Sequence, residues 1–151
     1  MSETGQVPPR LAVVSETGDG PFGASIDIGP HHLLADEAVS AGGHNAGPDP
    51  FEFLLAGLGA CTTMTLRGYA TRKGWPLDWI EVRVTHAVRA SDGATKNVFE
   101  REIRLEGDLS TEERARLLEI ADRCPVSRTL AGGSIIQSRL ADMAPVGEAS
   151  A

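Results

Sequence analysis

From Phe53 to Leu66 the chain carries no charged residue, although the flanking residues mark this stretch as the interior of one long helix. Asp49 is suited to the N-cap and Pro50 to the first helical position, where its missing N–H costs nothing. Glu52 stands where a capping box needs an acid. Gly74 can take the left-handed position that ends a helix, and Pro76 cannot continue the ladder, so the spacing predicts a helix over 50–73. Such a helix is roughly 36 Å long. A helix that is apolar all round must be covered all round, and a chain of 151 residues has few other elements to do it. Burial between subunits is therefore expected. The uncharged run falls short of the roughly 18 to 20 apolar residues that a bilayer requires, so no membrane partner is expected.

The two cysteines, Cys61 and Cys124, are the only thiols, so any redox chemistry must use this pair. Cys61 lies inside the apolar helix. Cys124 lies after a second helix, which Ser110, Thr111, Glu112 and Glu113 start with another capping box and whose apolar face (Ala115, Leu117, Leu118, Ala121) runs through to Arg123. Pro125 turns Cys124 away from helical geometry and can open a short helix that stops at Gly132 and Gly133. Cys124 is then an N-cap, where free N–H groups and the helix dipole favour a thiolate. Arg128, four residues on, adds a cation to the same face. Cys124 has the stronger local case for activation and Cys61 for burial. A small core side chain is the ordinary role of a lone cysteine. Cys61 alone reads that way, whereas Cys124 fits either role.

The rest of the chain reads mostly as strands. Leu11 to Ser15, Ala24 to Ile28 and His32 to Ala35 are short strands separated by glycine-rich turns. Ile80, Val82, Val84, His86 and Val88 alternate with polar residues, and Phe99, Arg101, Ile103 and Leu105 continue the pattern against Glu100, Glu102, Arg104 and Glu106. Ser91, Asp92 and Gly93 join these two strands as a hairpin, and Ser134 to Leu140 is expected as a last strand. The expected class is α+β in the order βββ-α-ββ-α-β. One domain spans 1–151, with an ordered core over about 11–140 and fraying ends.

The chain has 14 basic and 21 acidic residues, a net charge of −7, which argues against nucleic acid or an anionic membrane as a partner. Met1 to Pro9 has neither the basic start nor the apolar core of a signal peptide, so a cytoplasmic location is expected. Thiols there are normally reduced, which suits a transient catalytic disulfide better than a permanent one.

The segment from Gly47 to Cys61 (GPDPFEFLLAGLGAC), together with Cys124-Pro125-Val126-Ser127-Arg128-Thr129-Leu130, resembles the OsmC/Ohr family of bacterial hydroperoxide-reducing proteins. The likeness runs from about Leu11 to Leu140 in the same order of elements. The resemblance implies an intertwined homodimer whose cysteine-bearing helices pack centrally between curved sheets. It also implies a peroxidase acting on organic hydroperoxides, in which Cys61 attacks the peroxide and Cys124 resolves the sulfenic acid as a disulfide. A dithiol reductant of the lipoyl type is implied, with no cofactor or metal. These roles invert the local ranking of the two thiols, and an arginine or other charge from another segment can activate Cys61 without a trace in its own neighbourhood.

The sequence departs from the family pattern in two places. Strong hydroperoxidases of the family carry an arginine in the N-terminal strands and a glutamate directly after the helix-starting proline. Here no Lys or Arg lies between Arg10 and Arg67, and Phe51 follows Pro50, with Glu52 one place later. At about 100° per residue Glu52 and Cys61 project to opposite faces, which favours a capping role for Glu52. The candidate site is Cys61, Cys124, Glu52 and Arg128. The alternative is a dimeric small-molecule-binding protein with little or no peroxidase activity.

Other candidates are weaker. His31 and His32 are adjacent and face opposite sides of a strand, so a solvated or hydrogen-bonded role is expected for them and for His44 rather than a metal site. Gly42 to Gly47 lacks the lysine and spacing of a P-loop and is expected to be a flexible loop over a substrate entrance. Ser127 has no His and acid partner nearby in sequence, which disfavours a hydrolase triad.

Overall fold

In the computed structural model, which describes residues 9–142, the capped helix spans Pro50–Lys73 (α1). Asp49 Oδ1 accepts the Glu52 N–H, and Glu52 Oε2 accepts the Asp49 N–H, each at 2.8 Å. Gly74 closes the other end at φ 67°, its N–H turned onto the carbonyls of Ala70 and Thr71. Leu58, Thr62, Leu66 and Ala70 recur every fourth residue and form the buried stripe. All-round coverage is not reached within one chain. Phe51, Leu54 and Met64 are 49%, 42% and 72% exposed.

Three strands precede α1: β1 (Val13–Glu16), β2 (Ala24–Ile28) and β3 (His31–Ala35), an antiparallel meander in that order. Its register sets Val14 opposite Ile26 and Ile26 opposite Leu33. With Pro50 and Phe53 of α1, one face of this meander lines an open apolar hollow of about 570 Å³. After α1 come β4 (Leu77–Ser91) and β5 (Ala94–Gly107), a long antiparallel hairpin. Asp92 and Gly93 both take positive φ (48° and 79°), as a two-residue turn matched to strand twist requires. The alternating runs extend further than the sequence pattern alone marks, because the ladder continues to the pair Leu77 and Gly107 across a register shift between Leu77 and Trp79.

Helix α2 (Thr111–Ala121) packs its Leu117, Ile120 and Ala121 against Leu66 and Ala70 of α1, with Leu77 and Leu109 completing the core. It stops two residues before Arg123, and after a turn α3 (Pro125–Gly132) begins with Cys124 as its N-cap. The strand expected over Ser134–Leu140 does not form. A ladder needs a neighbour, and this segment has none among the described residues: Ile135 and Ile136 are each 89% exposed. The ends expected to fray lie largely outside the described residues.

The loop between β3 and α1 is built around Asp36 rather than left open as a flexible cover. Its buried carboxylate accepts the N–H groups of Glu37 (2.8 Å), His44 and Ala46 (3.1 Å each). Gly43 and Gly47 pass so close to the backbones of Glu37 and Leu34 that a Cβ at either would collide. The Ala46 N–H, above all, holds the Asp36 carboxyl below its ordinary pKa, against burial, with Glu37 and His44 adding to the effect. A carboxyl depressed by folding stabilises the fold above its unfolded pKa and loses that contribution as pH falls through the folded value. The amides of His44 and Ala46 should therefore lose protection from hydrogen exchange as pH falls below the ordinary carboxylate range and through the depressed folded value. Asp36→Asn should remove that acid-side dependence while weakening protection at neutral pH.

Candidate active site

Helix α1 and the α2–α3 turn bring the two cysteines together. Cys61 lies half-buried near the middle of α1, and Cys124 is wholly buried at the start of α3. The two thiols are near enough that each shifts the titration of the other. The Ser127 N–H points at the Cys124 sulfur at 3.5 Å, as the N-cap position dictates.

One sulfur is favoured for charge. For Cys124, burial pushes the thiol pKa up but is outweighed by hydrogen bonds from the Cys61 thiol, the N–H groups of Ser127 and Val126 and the Thr62 hydroxyl, leaving it below the ordinary value. For Cys61, burial and the bond it gives to Cys124 raise the pKa, only partly offset by the Val126 N–H and Thr65. The pair thus holds a single proton most readily as a Cys61 thiol donating to a Cys124 thiolate. Access runs the other way, since Cys61 is half-buried and Cys124 wholly buried.

Glu52 and Arg128 are not brought to the sulfurs. Glu52 is occupied in the α1 capping box, nine residues before Cys61 and on the opposite face. The Arg128 side chain is exposed, and its backbone N–H returns to the Cys124 carbonyl at 3.1 Å. Sequence reasoning passed over Arg101 of β5. Its guanidinium bonds to Thr62 Oγ1 (3.0 Å), beside Cys61, and to the Ala121 carbonyl and Asp122 (2.8 Å each), just before Cys124. The signal was present: Arg101 occupies the inward parity of its strand, between Phe99 and Ile103. An ionised side chain at an inward position needs a buried partner.

A cleft of about 330 Å³ flanks the pair, lined by Leu58, Val98, Phe99, Leu130 and Ala131 with Asn97, Arg101 and Ser127 as its polar groups. At its rim His86 stacks between Phe51 and Phe99, with ring centroids 4.6 and 4.9 Å away, and meets Asn97 Oδ1 at 2.9 Å. His32 pairs with Asp27 on the surface at 2.7 Å, and His44 belongs to the Asp36 loop. Among the described residues no cluster of His, Cys, Asp or Glu is placed to hold a metal, and no helix is long and apolar enough to cross a membrane.

Residues 43–139 match the family model described as OsmC-like protein. No curated protein gives a significant match to the chain. Among solved structures, it is similar to an OsmC-like protein from Mycoplasma pneumoniae at 19% identity and a TM-score of 0.70, over 82% of this chain and 88% of that one. The organic hydroperoxide resistance protein OsmC of Legionella pneumophila aligns at 19% identity and a TM-score of 0.64, over 84% and 92% of the two chains. An organic hydroperoxide resistance protein from Elizabethkingia anophelis, with thiocyanate bound, aligns at 19% identity and a TM-score of 0.66, over 85% and 91%. The matched segment contains α1, the hairpin and both cysteines, and on that match the chain belongs to the OsmC-like protein family.

Proposed function

We propose that this chain is a thiol peroxidase that reduces organic hydroperoxides, with Cys61 as the attacking thiol and Cys124 as the resolving one. The observation that carries the reading is the meeting of the only two thiols, Cys61 half-buried on α1 and Cys124 wholly buried at the N-cap of α3 with the Ser127 N–H on its sulfur. On approach of the peroxide, Cys61 passes its proton to the Cys124 sulfur and attacks the distal oxygen. The O–O bond breaks, the alkoxide recovers the proton as alcohol, and Cys61 becomes a sulfenic acid. The Cys124 thiolate then displaces hydroxide from that sulfur, and the disulfide forms. An external dithiol, of the lipoyl type by family resemblance, restores both thiols by exchange.

The apolar lining of the neighbouring cleft favours a greasy peroxide over hydrogen peroxide. Assembly as a homodimer is part of the same reading, supported by the exposed apolar residues Phe51, Leu54 and Met64 of α1, Ile135 and Ile136 and by the open apolar face of the meander. The test is a free-thiol count on reduced protein mixed with an organic hydroperoxide. Loss of both thiols is expected, faster than with hydrogen peroxide, and retention of both would refute the reading.

A second reading, a dimeric small-molecule-binding protein, is favoured by the commitment of Glu52 to the helix cap and the absence of Lys and Arg between Arg10 and Arg67. Oxidation of Cys61 no faster than that of a free thiol at the same pH selects it. Acceleration by orders of magnitude excludes it.

A further inference from the structure

Arg101 is buried to an extent unusual for its residue type, with a side chain 14% exposed. Its bonds end on the helix that carries Cys61 and on the two residues, Ala121 and Asp122, that lead into Cys124. Nη1 reaches Thr62 Oγ1 on α1 at 3.0 Å and the carbonyl of Ala121, the last residue of α2, at 2.8 Å, while Nη2 pairs with Asp122 at 2.8 Å. One guanidinium therefore ties the helix that bears Cys61 to the turn that delivers Cys124.

Thr62 is the intermediary. Wholly buried, it gives its single O–H to the Leu58 carbonyl at 2.7 Å and accepts an Arg101 N–H on the same oxygen at 3.0 Å. Arg101 is thereby anchored to α1 while its other bonds hold the turn before Cys124.

We propose that Arg101 is a positioning residue for Cys124, which through its bonds to Thr62 Oγ1 and to the Ala121 carbonyl holds the turn before Cys124 against the helix that bears Cys61, and so keeps the sulfur at its N-cap seat. The charged and titratable groups around that sulfur are Cys61 on α1, Arg101 on β5 and, in its own segment, the exposed Arg123, Arg128 and Asp122, the last 81% exposed and paired with Arg101. Of the three arginines, only Arg101 is held in place by buried partners. The proposal deepens the peroxidase reading by naming what prepares the resolving thiol, and rests on that reading for its purpose.

Its test needs no peroxide. In full-length Cys61→Ser protein, where serine keeps an O–H donor beside the sulfur, the ultraviolet absorbance of the Cys124 thiolate is followed against pH. Arg101→Met should raise the midpoint by about one unit, an approximately tenfold smaller thiolate fraction below it. Thr62→Val, of the same shape without the hydroxyl, should raise it in the same direction, and Arg101→Lys should recover part of the loss. A merely structural clamp would lower the melting temperature and leave the midpoint in place. An unshifted midpoint in Arg101→Met with native circular dichroism overturns the proposal. Should that variant fail to fold, Thr62→Val decides, and an unshifted midpoint there overturns it equally. A shifted midpoint beside a wild type inert to organic hydroperoxide leaves the proposal standing and removes the peroxidase reading instead.

Discussion

Leu58→Asp should yield aggregated or unfolded chain. Leu58 is 3% exposed on the buried stripe of α1, one turn before Thr62, and it also lines the cleft beside the thiols. The guanidinium that shares its cleft, Arg101, is already committed to Thr62, the Ala121 carbonyl and Asp122, and along its own helix Arg67 is the first basic residue after it. Burying an unpaired charge costs several kcal/mol, comparable to the roughly 5 to 15 kcal/mol that holds a whole domain together. Because α3 and the Arg101 bonds are built on this stripe, Cys124 chemistry should disappear with the fold. The check is sedimentation together with circular dichroism. A soluble Leu58→Asp protein with a native spectrum would contradict this packing, and a well-folded wild-type monomer would contradict the proposed dimer.

The two cysteines should fail in different ways when each is replaced by serine. With Cys61→Ser, consumption of organic hydroperoxide should fall to the level of the protein-free mixture, because a buried thiolate at Cys124 cannot meet the peroxide. With Cys124→Ser the attack should persist while turnover stops, leaving a sulfenic acid at Cys61 that a dimedone-type reagent traps and mass spectrometry detects. Equal rates of peroxide-dependent oxidation in the wild type and Cys61→Ser would assign the attack to Cys124. Such a result would match the charge preference of the pair and imply that the site opens in solution.

Local signals were legible in the chain where local physics decides the outcome. Asp49, Pro50, Glu52 and Gly74 act within a turn of their own positions, and α1 begins and ends where they place it. The same holds for Ser110 and Glu113 at the start of α2, for Asp92 and Gly93 in the hairpin turn, and for Cys124 as the N-cap of α3. The activating environment inferred for Cys124 from that cap agrees with its depressed pKa. Arg101 was visible as a charge at an inward position, yet its partners Thr62, Ala121 and Asp122 lie 39, 20 and 21 residues away along the chain, so their identity was not.

Strand pairing showed the opposite limit. Ser134–Leu140 has the composition of a strand and no ladder, because composition describes a side chain's preference and a ladder requires another backbone. By itself the sequence determined the helix boundaries, the alternation of the hairpin and the N-cap setting of Cys124, since each depends on residues within a few positions of one another. Only the tertiary structure decided that Cys61 and Cys124, 63 positions apart, come together, that Asp36 organises the loop before α1, and that Arg101 joins α1 to the turn before Cys124. Those outcomes depend on which helix faces and loop backbones meet in space, and close packing, not local propensity, sets that geometry.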